Sequence, residues 1–301
     1  MTQNTAAANV QAGAAAESGT RKNPMQMWLG RAGFWLLVIV ILFFLMFPFY
    51  WAINTSLMTE TELFNPARIW PDNPTTINYD SAFRNDDFLR GLRNSAIVST
   101  VSVLLALVVG SFAAYALGRI KFKGRMLMLY AVLAMTMFPQ ISILSGLFSI
   151  VRDLGVYGSL SSLMVTYPLL TLPFTVWVLT SFFEGLPAEL EQAALVDGAT
   201  SFQTFYRILL PLTAPALVTT GLLAFIAAWN EYLFALTFTA VAPEARTVTV
   251  AIAQFSGRVM RQEPIAEVMA ASIVVTVPLL ILVLVFQQRI AEGLTAGAVK
   301  G

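Results

Sequence analysis

The sequence predicts an all-α polytopic membrane protein, and three observations carry that prediction. Of the 301 residues, 57% are hydrophobic and only 12% are charged, about half the charged share of a soluble domain. A single core in a chain of this size cannot hide so much apolar surface, so lipid must cover much of it. Apolar runs recur that are long enough to cross a hydrocarbon core of about 30 Å at 1.5 Å per residue. Six spans are expected, at about 34–54, 95–118, 126–149, 161–183, 214–238 and 268–288.

Residues 1–22 are rich in Ala, Gly, Ser, Thr, Asn and Gln and almost free of large apolar side chains. Such a stretch buries too little to offset its ordering entropy. Residues 1–30 are therefore expected to be a disordered tail ahead of a membrane domain at 31–290, with a C-terminal tail at 291–301. No basic region opens the chain, and the first apolar run is too long for a signal peptide. That run holds thirteen Phe, Leu, Ile and Val between 34 and 50. At about 0.3–0.6 kcal/mol each they favour insertion by roughly 4–8 kcal/mol. Residues 59–90, with prolines at 66, 71 and 74, form a sizeable extramembrane segment, and 151–160 a short loop. Residues 241–267 are polar and longer than a hairpin requires. Pro139, Pro168, Pro173 and Pro278 fall within spans, where each removes a helix hydrogen bond. Packing kinks and hinges are both open readings of them.

Basic residues in short loops set the orientation. Arg119, Lys121, Lys123 and Arg125 put four cations in seven residues and mark that loop as cytoplasmic. Arg21, Lys22 and Arg31 before the first span agree, as do Arg289 and Lys300 after the last. The full count, ten Lys/Arg inside against eight outside, leans the same way. Both termini and residues 184–212 are then cytoplasmic.

The 184–212 segment has its own physics. Pro187 suits a first helical turn, and Glu189 and Glu191 sit where a helix dipole favours negative charge. Leu186, Leu190, Ala193 and Ala194 fall on one helical face. Gly198, after Asp197, allows a left-handed turn. Thr200 or Ser201 caps a second helix with the stripe Phe202, Phe205, Tyr206 and Leu209, which Pro211 ends. The chain thus leaves the bilayer, turns tightly between two short helices and returns. An interfacial loop and a docking knob for a cytoplasmic partner both fit.

The spacing Ala193-Ala194-x-x-x-Gly198, nine residues, then Ile208-x-Leu210-Pro211 resembles the cytoplasmic loop signature of bacterial ABC importer permeases. Asp197 and Ala199 match it too. Gln192 stands where the family has Glu, with Glu191 beside it, so Glu191 or Glu189 is the substitute for the charged contact. Asn94-Ser95, Met137-Phe138-Pro139, Leu172-Pro173, Trp229-Asn230-Glu231-Tyr232 and the C-terminal run Gly293–Gly301 are similar to the carbohydrate permeases of maltose and trehalose type. The resemblance covers about residues 30–301. It implies a type I ABC importer permease fold in the bacterial cytoplasmic (inner) membrane, with coupling helices at 185–211 that seat in an ATPase subunit. The ATPase-coupling residues would be Glu189, Glu191, Gln192, Ala193, Ala194, Asp197, Gly198, Ala199, Phe202 and Phe205. Gly297, Lys300 and Gly301 would reach toward the ATPase pair. The implied partners are a second homologous permease, two ATPases that bind ATP and Mg, an extracytoplasmic sugar-binding protein and a di- or oligosaccharide such as trehalose or maltose. The chain itself would bind no cofactor.

Within the spans Glu231 is the one acidic residue expected. A charge there costs about 2.5–3.5 kcal/mol on insertion scales, so it should face protein or water. It reads either as part of a translocation path with Trp229, Asn230 and Tyr232, or as a helix–helix polar contact. Tyr167 and Trp177 are further aromatic possibilities for the path. No histidine or cysteine is present, which excludes Cys/His metal sites and His-based nucleophile systems. No catalytic residue is expected, and a net charge of +1 gives no case for nucleic acid. An ABC permease for another small solute is the nearest alternative. An ion-coupled secondary transporter would need more intramembrane ionisable groups.

Overall fold

The computed structural model describes residues 24–63, 69–255 and 264–298. The chain divides into two compact units, Met1–Ile53 and Asn54–Gly301. The first consists, among the described residues, of helix α1 (Pro24–Ser56), whose last turn enters the second unit. Phe34, Phe43 and Phe44 are among the many apolar side chains that α1 leaves exposed. Residues 24–30 are helical, so the expected tail is shorter than residues 1–30; residues 1–23 lie outside the described residues.

The second unit is helical throughout its described elements: α2 (Ile77–Arg84), α3 (Asp86–Arg119), α4 (Arg125–Met135), α5 (Gln140–Asp153), α6 (Leu160–Gly185), α7 (Glu189–Val196), α8 (Ser201–Leu212), α9 (Ala214–Trp229), α10 (Leu233–Phe238), α11 (Val248–Ala253) and α12 (Ile265–Ala298). Among the described residues four helices are long and apolar enough to cross a membrane, and six spans result if each of two bent pairs is counted as one.

The second bent pair is α8 and α9, which meet at 73°. The first bent pair and a break after Trp229 correct two expectations. The span expected at 126–149 is two helices, α4 and α5, that meet at 96°. Pro139 has no N–H to continue α4 and takes the N-cap position of α5 with φ −60° and ψ 131°; it starts a helix instead of kinking one. The span expected at 214–238 ends at Trp229, and α10 begins only at Leu233. By contrast α6 runs unbroken through Pro168 and Pro173, and α12 through Pro278. Helix α12 continues through Ala298, so most of the tail expected at 291–301 is helix.

The frame of the unit is the pair α3 and α6. On α3, Gly110, Ala114 and Gly118 recur at four-residue spacing and all are buried, the pattern that lets membrane helices approach closely. A Cβ at Gly110 would lie 2.7 Å from Thr175 Cγ2 of α6, closer than side chains tolerate. Two apolar cores form along this pair. Near its α3 N-terminal end Val98, Val151, Leu163, Tyr167, Phe234 and Phe238 pack together. Near its α3 C-terminal end Ala114, Leu179, Phe183, Phe205, Leu209 and Ala216 do so.

Candidate functional site: a two-helix loop beside Arg119

Residues 184–212 form the two short helices expected. Helix α7 starts at Glu189 with Ala188 as N-cap, two residues after Pro187. It ends in a Schellman turn: Ala199 N donates to Ala194 O at 2.9 Å and Gly198 N to Leu195 O at 3.1 Å. Gly198 takes φ +81°, which a residue with a Cβ resists. A Cβ there would meet nothing within 4 Å, so the demand is conformational and not steric. Thr200 then caps α8 in a capping box with Gln203, whose side chain accepts from Thr200 N at 2.8 Å. The reciprocal bond runs from Gln203 N to Thr200 Oγ1 at 3.2 Å.

Helix α8 does not keep one face. Residues Phe205–Leu209 form a π turn, which rotates the register of the residues around it. Phe205 and Leu209 are buried in the core, whereas Phe202 and Tyr206 are exposed. The stripe expected from the sequence is therefore split. Phe205, at 3% exposure, is spent on internal packing against Phe112, Tyr115 and Phe183 and is not available to a partner. Phe202 is 61% exposed and Val196 87%. With Leu195, also exposed, they give the turn an apolar tip.

Glu189, Gln192, Ala193, Asp197 and Gly198 are exposed, Ala199 is half-buried and Ala194 is buried. Glu191 has an internal partner: Arg119 Nε donates to its Oε1 at 3.0 Å. The same guanidinium donates to the carbonyls of Leu186 at 2.8 Å, Phe183 at 3.3 Å and Pro187 at 3.4 Å. Those carbonyls close the C-terminus of α6, where a cation offsets the helix dipole. Arg125 adds an ion pair to Glu184 at 2.7 Å and donates to Gly118 O at 3.3 Å. Two of the four cations read from sequence only as an orientation signal thus hold the loop in place. Glu189, unlike Glu191, has its carboxylate outside these bonds.

The second candidate cluster behaves differently. Glu231 is 7% exposed, and its two carboxylate oxygens accept from Phe234 N at 2.8 Å and Ala235 N at 3.0 Å. They satisfy amides that the first turn of α10 would otherwise leave unpaired, and the negative charge sits where the helix dipole favours it. Trp229 is buried and stacks on Phe225 at 5.6 Å. Asn230 is exposed and donates to Ile226 O at 2.9 Å. Tyr232 is exposed. Of the four, only Asn230 and Tyr232 present polar groups outward. Of the further aromatics, Tyr167 is buried in the core and Trp177 exposed. Gly297 lies in α12, and Lys300 and Gly301 lie outside the described residues. A groove of about 610 Å³ between α3, α9 and α12 has Thr100 as its single polar residue among Leu104, Leu107, Leu222 and Phe225, so it offers a hydroxylated solute little to bond.

The α3–α6 frame, with four to six candidate spans, is that of a polytopic helical membrane protein. The chain belongs to the family described as "Binding-protein-dependent transport system inner membrane component", which matches residues 106–295. It is 44% identical to the trehalose/maltose transport system permease protein MalG of Thermococcus litoralis, over 85% of this chain and 92% of that protein. It is 40% identical to the trehalose transport system permease protein SugB of Mycobacterium tuberculosis, over 90% of this chain and 98% of that protein. Its fold is similar to a chain of a bacterial ABC transporter involved in alginate import, with a TM-score of 0.75 at 20% identity, covering 88% of this chain and 98% of that one.

Proposed function

We propose that this chain forms half of the translocation pore of an ATP-driven sugar importer and couples to a separate ATPase through residues 185–211. The observation that carries the reading is the preorganised turn at Gly198: an apolar tip of Leu195, Val196 and Phe202 on a backbone fixed by Arg119. A rigid exposed apolar knob loses little entropy on docking and gains by leaving water. A second homologous permease packs beside this chain, and two ATPases bind below and hydrolyse ATP with Mg. This chain is then the non-catalytic subunit. A sugar-binding protein docks outside, on parts of 59–90, 151–160 and 241–267. Both termini are cytoplasmic, which the Arg119–Arg125 cluster supports.

The sugar class rests on the relatives named for trehalose and maltose. Asn230 and Tyr232 are the path residues with polar groups to offer, and Glu231 acts behind them by fixing α10. Gly297, Lys300 and Gly301 extend toward the ATPase pair. ATP binding shifts the complex between inward- and outward-open populations, and the loop carries that shift to the spans.

The test is uptake by the reconstituted complex. Gly198→Val forces a β-branched residue into a left-handed turn, a strain of about 1–3 kcal/mol. It should cut trehalose or maltose uptake at least tenfold while the subunits still co-purify. Normal uptake in that variant, or wild-type uptake that survives ATP depletion with ion gradients held, overturns the reading.

A further inference from the structure

We propose that a cavity around Arg246, at the opposite end of α3 from the two-helix loop, receives an Asp or Glu side chain of the extracytoplasmic solute-binding protein. This inference rests on the importer reading above. Asn85 caps the N-terminus of the 34-residue α3, and Arg119 is its last residue, about 50 Å along the helix. If the Gly198 turn is cytoplasmic, the cavity faces outward.

Its floor is built with care. Pro243–Ala245 form a single 3-10 turn. Asn94 Nδ2 donates to Glu244 O at 2.8 Å and to Arg246 O at 2.9 Å. Val248 N donates to Ser95 Oγ at 2.9 Å. Ala245, Thr247 and Val248, around Arg246, are buried. The backbone that carries Arg246 is therefore held on both sides.

One donor of the guanidinium it carries is not satisfied. Arg246 is half-buried, and its Nε is buried with no hydrogen-bond partner. A buried cationic donor left unpaired is unfavourable and normally finds an acceptor. The cavity beside it, about 130 Å³, is lined also by Asn85, Asp87, Pro243 and Gln254. None of the lining acceptors bonds that Nε. Asp87 is paired with Arg90 at 2.6 Å, and Asn85 Oδ1 already accepts from Asp87 N and Phe88 N.

The size and lining select the occupant. A cavity of this volume admits the end of a carboxylate side chain and is too small for an oligosaccharide. Its polar lining gives an acyl chain nowhere to lie. A planar guanidinium pairs with a carboxylate through two parallel N–H donors, and a preorganised one loses less entropy in doing so.

The experiment uses the assembled complex in lipid nanodiscs with the purified binding protein that stimulates its ATP turnover. Arg246→Gln should raise the half-maximal concentration of that protein about tenfold, leave basal and maximal turnover unchanged, and flatten the salt dependence of docking. Arg246→Lys should fall between. Wild-type docking by R246Q overturns the proposal. Should R246Q fail to co-purify with its partners, a second variant decides: the chain has no cysteine, so Gln254→Cys carries a photo-crosslinker at a unique position. Adducts with an Asp- or Glu-bearing peptide of the binding protein support the site; adducts with lipid alone overturn it. A wild-type complex that no binding protein stimulates refutes the importer reading itself, which separates the two failures.

Discussion

The two ends of the α3–α6 pair are tied down by different chemistry. At the loop end the fastener is a charge: Arg119 gathers three carbonyls and the carboxylate of Glu191. Arg119 and Glu191 keep 10% and 26% of their side-chain surface exposed, so water and salt reach the bond. At the far end the fastener is neutral and dry. The amide of Asn94 and the hydroxyl of Ser95, both buried, hold the backbone of Glu244, Arg246 and Val248. A neutral clamp out of contact with water keeps its strength at any ionic strength, because there is no field for ions to screen. A partly exposed charged clamp weakens as salt rises. The two ends are distinguished by desolvation more than by the number of hydrogen bonds.

The hardest blow to this comparison comes from Asn94→Ala. It orphans two carbonyls in a buried setting, which costs about 2–4 kcal/mol in local opening. Hydrogen exchange of the Val248 amide should accelerate about 30- to 1,000-fold; a change below threefold would mean the far end is not held by this clamp. Arg119→Gln should come next. It removes charge-assisted bonds worth about 1.5–3 kcal/mol where water can partly replace them. Amides of 189–196 should exchange about ten- to a hundredfold faster, and those of 243–250 should keep their wild-type rates. The finest discriminator is salt. Raising it from about 0.05 to 0.5 M should speed exchange in 184–199 a few-fold through screening of the Arg119–Glu191 pair and leave 243–250 unchanged. Equal responses at both ends would erase the distinction drawn here.

Much of this architecture was legible in the sequence because run length and hydropathy report burial in lipid directly. The two helices of 184–212, the Gly198 turn and the Thr200 cap were legible for a related reason: each is decided by residues within four positions of it. What escaped was decided at longer range or by direction. Met135 to Phe138 keep most of their apolar character across the break before Pro139, so composition gave no sign that the chain turns by 96° there. Phe202 and Phe205 look equivalent on a 3.6-residue wheel, yet Phe202 is exposed and Phe205, where the π turn begins, is in the core. Arg119 contributes one positive charge to a topology count whether or not it clamps Glu191, 72 positions later. The sequence leaves Glu231 open as a path residue or a helix–helix contact, and its bonds are to the amides of the next helical turn. Asn94-Ser95 stood out only by resemblance, since its bonds reach some 150 residues ahead.

The close contact at Gly110 has a mechanical consequence. Two helices wedged together at a glycine, each over 20 residues long, resist shear as a laminated beam does and bend little under an axial load. Displacement imposed on one tip is delivered to the other with small elastic loss, roughly 40 Å away. Between its fasteners, then, the pair is stiff, and the breaks in the unit's helices lie outside it, at 136–139, 213 and 230–232.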